Sequence, residues 1–239
     1  MTIVEHLGEL RRRIIISALA VSAGAVLVFI FYDSVLEFLV GPYSKITEGT
    51  RRCGSEGCKL IVTDPIEGFM VRIKVATYGG IVVALPVVLF QVWRFVTPGL
   101  EPKEKRYAIP FIVSSTLLFL FGGFVAWATF PKALSFLVKV GGGSVETFFA
   151  AGKYLSLISL MIIAFGAAFE FPILLVFLLL ARVISTSQLR SARRYAVVGI
   201  TVVAAVITPS QDPYSLFFMA GPMYLFYELA ILIGRWMKR

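Results

Sequence analysis

The sequence contains few of the residues on which enzymes and metal proteins depend. It has one histidine, His6, and two cysteines, Cys53 and Cys58, too few for a His/Cys metal site. A Ser-His-Asp triad would have to use His6, close to the start of the chain. The sequence also lacks a G-x-x-x-x-G-K-[ST] phosphate-binding loop. We therefore expect no catalytic site, no metal and no cofactor. If the protein performs work, the energy would come from a gradient or from a partner.

Charged residues are scarce as well. They make up 15% of the chain and hydrophobic residues 58%, whereas a soluble domain has about 25% charged residues. A chain this apolar cannot cover its surface with polar side chains, so we expect an integral membrane protein. The net charge is +9. Because the basic residues form short clusters between apolar runs, we interpret them as determinants of topology and lipid contact, not as a nucleic-acid surface.

Six apolar runs predict six transmembrane helices. They cover residues 14–32, 75–93, 109–130, 154–181, 196–208 and 216–233. A span requires about 20 helical residues, which the first four runs supply. The fifth run is too short to span the bilayer, and the connection to the sixth run is a tight turn. We therefore expect helices five and six to be short and the bilayer to thin there. Alternatively, helix five extends to Arg190 and its arginines reach the membrane surface.

The basic residues between these runs predict the orientation. Of the 23 Lys and Arg residues, 14 fall in segments on the same side of the membrane as the N-terminus. By the positive-inside rule, both termini are cytoplasmic. We expect a single polytopic domain over residues 1–239, the first run being an anchor rather than a cleaved signal. Its cytosolic segments would be 1–13 (an amphipathic start), 94–108 and 182–195, and its outer loops 33–68 and 131–153.

Two features of the outer side and the spans refine this picture. Apolar residues at helical spacing predict a short interfacial helix that stops at Gly41-Pro42. Cys53 and Cys58 would form a disulfide in an oxidising compartment. Pro86, Pro172 and Pro222 lie within apolar runs and should kink their helices. We therefore expect a bent, concave body.

Three groups of carboxylates are candidates for function. Glu5 and Glu9 lie four residues apart on the amphipathic start, and Glu104 lies in the first cytosolic loop. Such residues either form a solvated face balanced by arginines or are held for an external cation. Glu170 interrupts a long apolar run, as either a structural hydrogen-bonding group or a functional one. Glu228, near the inner end of helix six, should form an ion pair or reach the interface.

The order of several motifs resembles the TatC family, the signal-peptide receptor subunit of the twin-arginine protein translocase. The motifs are EHLGELRRR at residues 5–13, PGLEPKEKR at residues 98–106 and AFGAAFEFP at residues 164–172. Leu85-Pro86, Gln91 to Trp93, Thr208-Pro209 and Gly221 to Met223 also match. The sequence departs from the family pattern at Leu216, where family members often have a glutamine, and at the Cys53–Cys58 segment, which resembles an insertion.

The resemblance implies a fold, a function and partners. The fold is an all-α membrane protein of six kinked helices in a concave, glove-like body, in the bacterial inner membrane with both termini cytoplasmic. The function is binding of twin-arginine signal peptides of folded cargo, in a complex with TatB-like and TatA-like single-span subunits and further copies of the chain, driven by the protonmotive force. The residues alone leave another function open, a proton-coupled small-solute transporter that uses Glu170.

The resemblance also assigns roles to individual residues. Glu9 and Glu104 match the two acids of the signal-binding patch, and Arg11, Arg13 and Phe95 match its neighbours. Glu170 matches a polar residue buried in the concave face, and Pro42 and Asp212 match outer positions linked to function. Guanidinium groups of a signal peptide would bind the two carboxylates through charge-assisted, bidentate hydrogen bonds.

Overall fold

The regular elements of the structure, a computed structural model, are α-helices. The structure describes residues 3–47, 60, 62, 64–96, 108–140 and 150–236. The helices in this part of the chain are α1 (Ile3–Ile30), α2 (Tyr32–Thr47), α3 (Glu67–Val96), α4 (Ala108–Val140), α5 (Ala151–Phe169), α6 (Phe171–Leu180), α7 (Thr186–Ser191), α8 (Arg193–Ile207) and α9 (Pro213–Trp236).

Five helical segments are long and apolar enough to cross a membrane. They are Glu5–Ile30, Glu67–Phe95, Ala108–Val140, Ala151–Leu180 and Pro213–Trp236. The predicted amphipathic start is the first part of α1, which continues into the first span without a break. The fourth segment contains two helices, α5 and α6, which meet at Glu170, and Pro172 lies in the first turn of α6. The prediction of a multi-pass, all-helical membrane protein is confirmed.

The two C-terminal apolar runs form helices of different length. The fifth run lies in α8, which has 15 residues and by the helical rise extends only about 22 Å, less than the hydrocarbon thickness of about 30 Å. Helix five is therefore short, as predicted, and a separate helix, α7, ends before it at Ser191. The expectation for helix six is wrong, because α9 has 24 residues. It begins at Pro213, three residues before the apolar run, and continues past Arg235.

Helices also extend into segments that we expected to be loops. In the outer segment, α2 continues through Pro42 to Thr47 instead of stopping at Gly41-Pro42. It can do so because the Trp127 indole of α4 donates a hydrogen bond to the Phe38 carbonyl, which the missing N–H of a proline leaves without its intrahelical donor. Similarly, α4 continues through Pro131 into the predicted loop 131–153, and the segment 182–195, predicted to be cytosolic, contains α7.

The N-terminal helix α1 packs along α3 through small residues. A Cβ atom on Gly24 would lie 2.8 Å from the Gly80 carbonyl oxygen, and one on Gly80 would lie 2.6 Å from the Ala25 amide nitrogen. Such close backbone approach is typical of helix pairs in membranes. Large apolar side chains of α1 remain exposed, Leu19 at 65% and Ile30 at 68%. This outer face of α1 is suited to contact with lipid.

The buried core lies among α4, α5 and α9. Its fully buried side chains include Phe130 on α4, Phe165 and Phe169 on α5, and Met219 and Met223 on α9. Helix α3 packs against α4 and α5, and α9 contacts α6 and α8. This arrangement brings the inner ends of α1 and α3 together on one side of the molecule. It places Glu170 beside a cavity lined by α3, α4, α5, α6, α8 and α9.

Candidate functional site

The inner ends of α1 and α3 hold the predicted acidic site residue next to a basic one. Arg13 Nη2 donates a hydrogen bond to Glu9 Oε1, one helical turn earlier on α1. Arg13 Nη1 donates to Gln91 Oε1 of α3 over 3.2 Å. The Glu9 side chain is 22% exposed and that of Arg13 12% exposed. The two helices are thus connected by a guanidinium between a carboxylate and an amide.

An aromatic pair completes this end of the molecule. The rings of His6 and Phe95 stack with centroids 4.5 Å apart, so that α1 and α3 touch again one turn closer to the start of α1 and the end of α3. We refer to His6, Glu9, Arg13, Gln91 and Phe95 together as the inner patch. Arg11, the remaining described member of the predicted site, is exposed on α1. The structure therefore brings Glu9, Arg13 and Phe95 to one surface.

The inner patch has unused hydrogen-bonding capacity. Glu9 Oε2 and Arg13 Nε are both buried and have no hydrogen-bond partner among the described residues. Groups of this kind normally find a partner in the folded protein or a ligand. The second predicted acid, Glu104, lies outside the described residues, in the segment that begins directly after Val96. The predicted pairing of Glu9 with Glu104 therefore stays a prediction.

Glu170 lies in the membrane-spanning part, between α5 and α6. Ser115 of α4 donates a hydrogen bond to its Oε2 over 2.6 Å, while Oε1 is buried without a partner among the described residues. Glu170 lines an open cavity of about 440 Å³. Trp93, Phe111 and Phe177 form an aromatic cluster on its wall, with centroids 4.8 to 6.1 Å apart. The cavity is apolar apart from Ser115 and the Glu170 carboxyl group.

The predicted outer residue Asp212 stabilises the start of α9. Its side chain is 1% exposed, and it accepts hydrogen bonds from the Ser215 amide over 2.8 Å and from the Ser210 hydroxyl. Together with Pro213 at the first helical position, this is the arrangement of a helix N-cap. Pro42, the other predicted outer residue, is fully buried inside α2. Both residues are therefore buried structural groups within the protein.

The remaining predicted polar residues have varied outcomes. Glu228 Oε2 accepts from Arg193 Nη2 over 2.6 Å, so the prediction that it forms an ion pair is confirmed. Cys53 and Cys58 lie outside the described residues. We did not select Gln91, His6 or Ser115 as site residues. Gln91 and His6 lie within the family motifs, a signal that could have identified them, whereas nothing in the local sequence distinguishes Ser115 from its neighbour Ser114.

Comparison with known proteins gives one consistent result. The family model described as "Sec-independent protein translocase protein (TatC)" matches residues 5–222. Proteins with that name from Frankia casuarinae and Aquifex aeolicus are each 37% identical to the chain. In each case 98% of the chain is covered, but the chain spans 65% of the Frankia protein and 95% of the Aquifex protein.

A more distant relative and a solved structure agree with this. The chloroplastic protein named TATC of Arabidopsis thaliana is 35% identical over 100% of the chain, which spans 66% of that protein. A crystal structure described as the twin arginine translocase receptor TatC in DDM is 37% identical and superimposes with a TM-score of 0.78. That likeness covers 96% of the chain and 99% of the crystallised one.

Proposed function

The chain belongs to the TatC family, and on that premise we propose that its inner patch binds twin-arginine signal peptides of folded cargo. As a member of the family it is a component of the Sec-independent, or twin-arginine, protein translocase. This is a family of protein-transport components and not of enzymes. The membership does not favour the alternative of a proton-coupled small-solute transporter that uses Glu170.

One observation carries the proposal: Glu9 holds a guanidinium group but uses only one of its carboxylate oxygens to do so. Oε1 accepts from Arg13, and Oε2 has no partner among the described residues. A guanidinium from a signal peptide could form the bidentate pair that this carboxylate does not form with Arg13. In this proposal Arg13 occupies the place of the ligand until the signal peptide arrives.

The neighbouring residues support binding of a peptide rather than a small cation. Phe95 is half-buried and stacks on His6, and so presents an apolar ring edge beside the carboxylate. The segment after Val96 carries Glu104, which would supply the second carboxylate for a pair of arginines. Arg11 is exposed and would hold further acidic or polar groups at the rim. The apolar part of the signal would then lie along the spanning helices.

The same proposal covers the membrane location of the chain, the energy source for transport and the partner subunits. We place the chain in the bacterial inner membrane with both termini in the cytosol, because 14 of its 23 basic residues fall on that side. It would act in a complex with TatB-like and TatA-like single-span subunits and further copies of itself, and the protonmotive force would drive transport. The described part of the chain offers apolar, lipid-facing surfaces on α1 and α8 against which single-span helices can pack.

Photo-crosslinking tests the proposed binding site. A photoreactive residue is placed next to the two arginines of a signal peptide, and crosslinking to membranes that contain Glu9→Gln is compared with the unaltered chain. Loss of a charge-assisted hydrogen bond, about 1.5–3 kcal/mol, predicts a drop of roughly tenfold to a hundredfold. A peptide with two lysines should depend less on Glu9, because an ammonium group cannot form the bidentate pair.

The control for this experiment is a carboxylate that lies away from the inner patch. Glu37 on α2 is exposed and lies in the predicted outer segment, so Glu37→Gln should leave crosslinking within twofold. Glu104→Gln should behave like Glu9→Gln. If crosslinking is unchanged in both the Glu9 and the Glu104 variants, the inner patch does not bind the signal peptide and the proposal is wrong.

A further inference from the structure

Pro42 changes the hydrogen bonding of the outer helix α2. It lies inside the helix and is fully buried. Because proline has no backbone N–H, the carbonyl of Phe38, four residues earlier, has no donor from within the helix. A helix carbonyl that lacks its intrahelical donor is free to accept a hydrogen bond from elsewhere in the protein.

Trp127 of α4 supplies that partner. Its indole Nε1 donates a hydrogen bond to the Phe38 carbonyl oxygen over 2.9 Å. The two residues also stack, with ring centroids 5.3 Å apart and an angle of 11° between the planes. A Cβ atom on Gly41 would lie 3.5 Å from the indole ring, so the backbone of α2 lies against Trp127. One indole thus contacts α2 through both its N–H group and its ring.

A second donor lies beside the first. The Tyr154 hydroxyl of α5 donates to the Leu39 carbonyl oxygen over 3.1 Å. Its ring contacts Tyr43 of α2 and Phe130 of α4 edge-on, with centroids 5.3 and 5.4 Å away. Tyr154 is 2% exposed and Leu39 is 5% exposed. Two consecutive carbonyls of α2 are therefore bound by side chains of two spanning helices.

We propose that Trp127 and Tyr154 are positioning residues that dock α2 onto α4 and α5, and that Pro42 acts in export by making the Phe38 carbonyl available to Trp127. The inference rests on the proposed function, because export is the activity that the docked helix supports. In this view Pro42 contacts neither the signal peptide nor a partner. Its role is to replace a hydrogen bond within α2 by one between helices.

The strongest test measures solvent exchange of the Trp127 indole N–H. The three indoles of the chain are labelled with ¹⁵N and assigned by Trp→Phe substitution. In the unaltered chain in detergent micelles, Trp127 should exchange at least about tenfold more slowly than Trp236, which is 88% exposed. In Pro42→Ala, the new N–H group competes for the Phe38 carbonyl, and the Trp127 indole should exchange several-fold faster.

The matched control is another proline inside a helix. Pro86 lies within α3, and Pro86→Ala should not change the exchange rate of the Trp127 indole. If Pro42→Ala leaves that rate unchanged, or if Pro86→Ala accelerates it equally, Pro42 does not control the bond and the inference is overturned.

Export assays test the positioning role and distinguish it from the binding proposal. Tyr154→Phe keeps the ring and removes only the hydroxyl donor, while Trp127→Phe removes the indole donor and leaves a smaller aromatic ring in its place. Both proteins should fold, and export should fall several-fold. Crosslinking of the signal peptide to the inner patch should be unchanged, and Trp236→Phe should export normally. Normal export by both donor variants would overturn the inference. If the unaltered chain gives no crosslink at the inner patch, the proposed function fails, while the exchange rates still decide the inference.

Discussion

Two carboxylates, Glu9 and Glu170, each have one oxygen in a hydrogen bond and one without a partner among the described residues. Their partners differ in charge. Glu9 pairs with the Arg13 guanidinium at the membrane surface, whereas Glu170 accepts from the neutral Ser115 hydroxyl in an apolar cavity. A charged partner at a part-buried site near the helix ends can be exchanged for another guanidinium. A single hydroxyl donor inside the membrane is more difficult to replace, because neither lipid nor apolar side chains can donate a hydrogen bond.

Replacement of Ser115 tests this at the level of one residue. Ser115→Ala removes the donor to Glu170 Oε2 and should lower the free energy of unfolding by about 1–2 kcal/mol. The adjacent Ser114 is exposed and provides a matched control, since Ser114→Ala should change stability by no more than about 0.5 kcal/mol. Thermal unfolding in detergent measures both. Equal effects of the two substitutions would show that the hydrogen bond to Glu170 contributes nothing.

Contacts between helices depend on the close approach of their backbones as well as on hydrogen bonds from side chains. The α1–α3 pair combines the Gly24–Gly80 crossing with a basic residue at each end, Arg13 at the inner end and Arg72 at the outer end. Arg72 Nη2 donates to the Phe29 carbonyl over 3.3 Å, and its guanidinium lies 4.4 Å from the Phe29 ring centroid. Three residues of the inner patch lie on α1 and two on α3, so the packing of this helix pair sets the distance between Glu9 and Phe95.

A methyl group at the crossing should disrupt the pair. In Gly80→Ala the new Cβ would lie 2.6 Å from the Ala25 amide nitrogen, so the helices must separate, and we expect destabilisation by about 1–3 kcal/mol. The comparison is Gly199→Ala on α8, where no atom lies within 4 Å and alanine should stabilise the helix by about 0.5–1 kcal/mol. Thermal unfolding again gives the readout. Equal or greater stability of the Gly80 variant would contradict the close packing of α1 and α3.

Across the whole molecule, the basic residues mark one side. The basic residues that we assigned to the side of the N-terminus lie, where the structure describes them, at the start of α1, at the end of α3, around α7 and at the end of α9. These positions share one end of the helical body. The positive-inside rule predicts that this end is cytosolic and that α2 lies on the outer side. On that prediction, the proposed binding site of the inner patch faces the cytosol.

Thiol labelling of cells tests this orientation. After reduction and removal of the reducing agent, a membrane-impermeant maleimide should label Cys53 and Cys58 in intact spheroplasts. A chain with Cys53→Ser, Cys58→Ser and Ser187→Cys should be labelled only after lysis, because Ser187 is an exposed residue of α7. The reverse pattern would place the inner patch outside the cell and contradict both the topology and the proposed binding site.

Several features were predictable because they depend on local composition. The five spans and the short α8 follow from the length and hydropathy of each apolar run, since each helix satisfies its own backbone in lipid. The positions of Glu9, Arg13 and Phe95 near one surface follow from motif order and topology. By contrast, α2 passes Pro42 and α9 begins at Pro213 because Trp127 and Asp212 supply hydrogen bonds. A hydropathy window over the sequence detects neither the Trp127 donor nor the Asp212 acceptor.

The sequence by itself therefore determined the class of protein, the approximate place of its long apolar helices, and its family. Only the tertiary structure decided which partners the polar groups have. Arg13 bonds to Gln91, 78 residues away, Ser115 to Glu170, 55 residues away, and Trp127 to Phe38, 89 residues away. The physical reason is that the free energy of transferring a helix into lipid is a sum over its own residues. A hydrogen bond between helices instead requires two groups that only the packing of the helices brings within about 3 Å of each other.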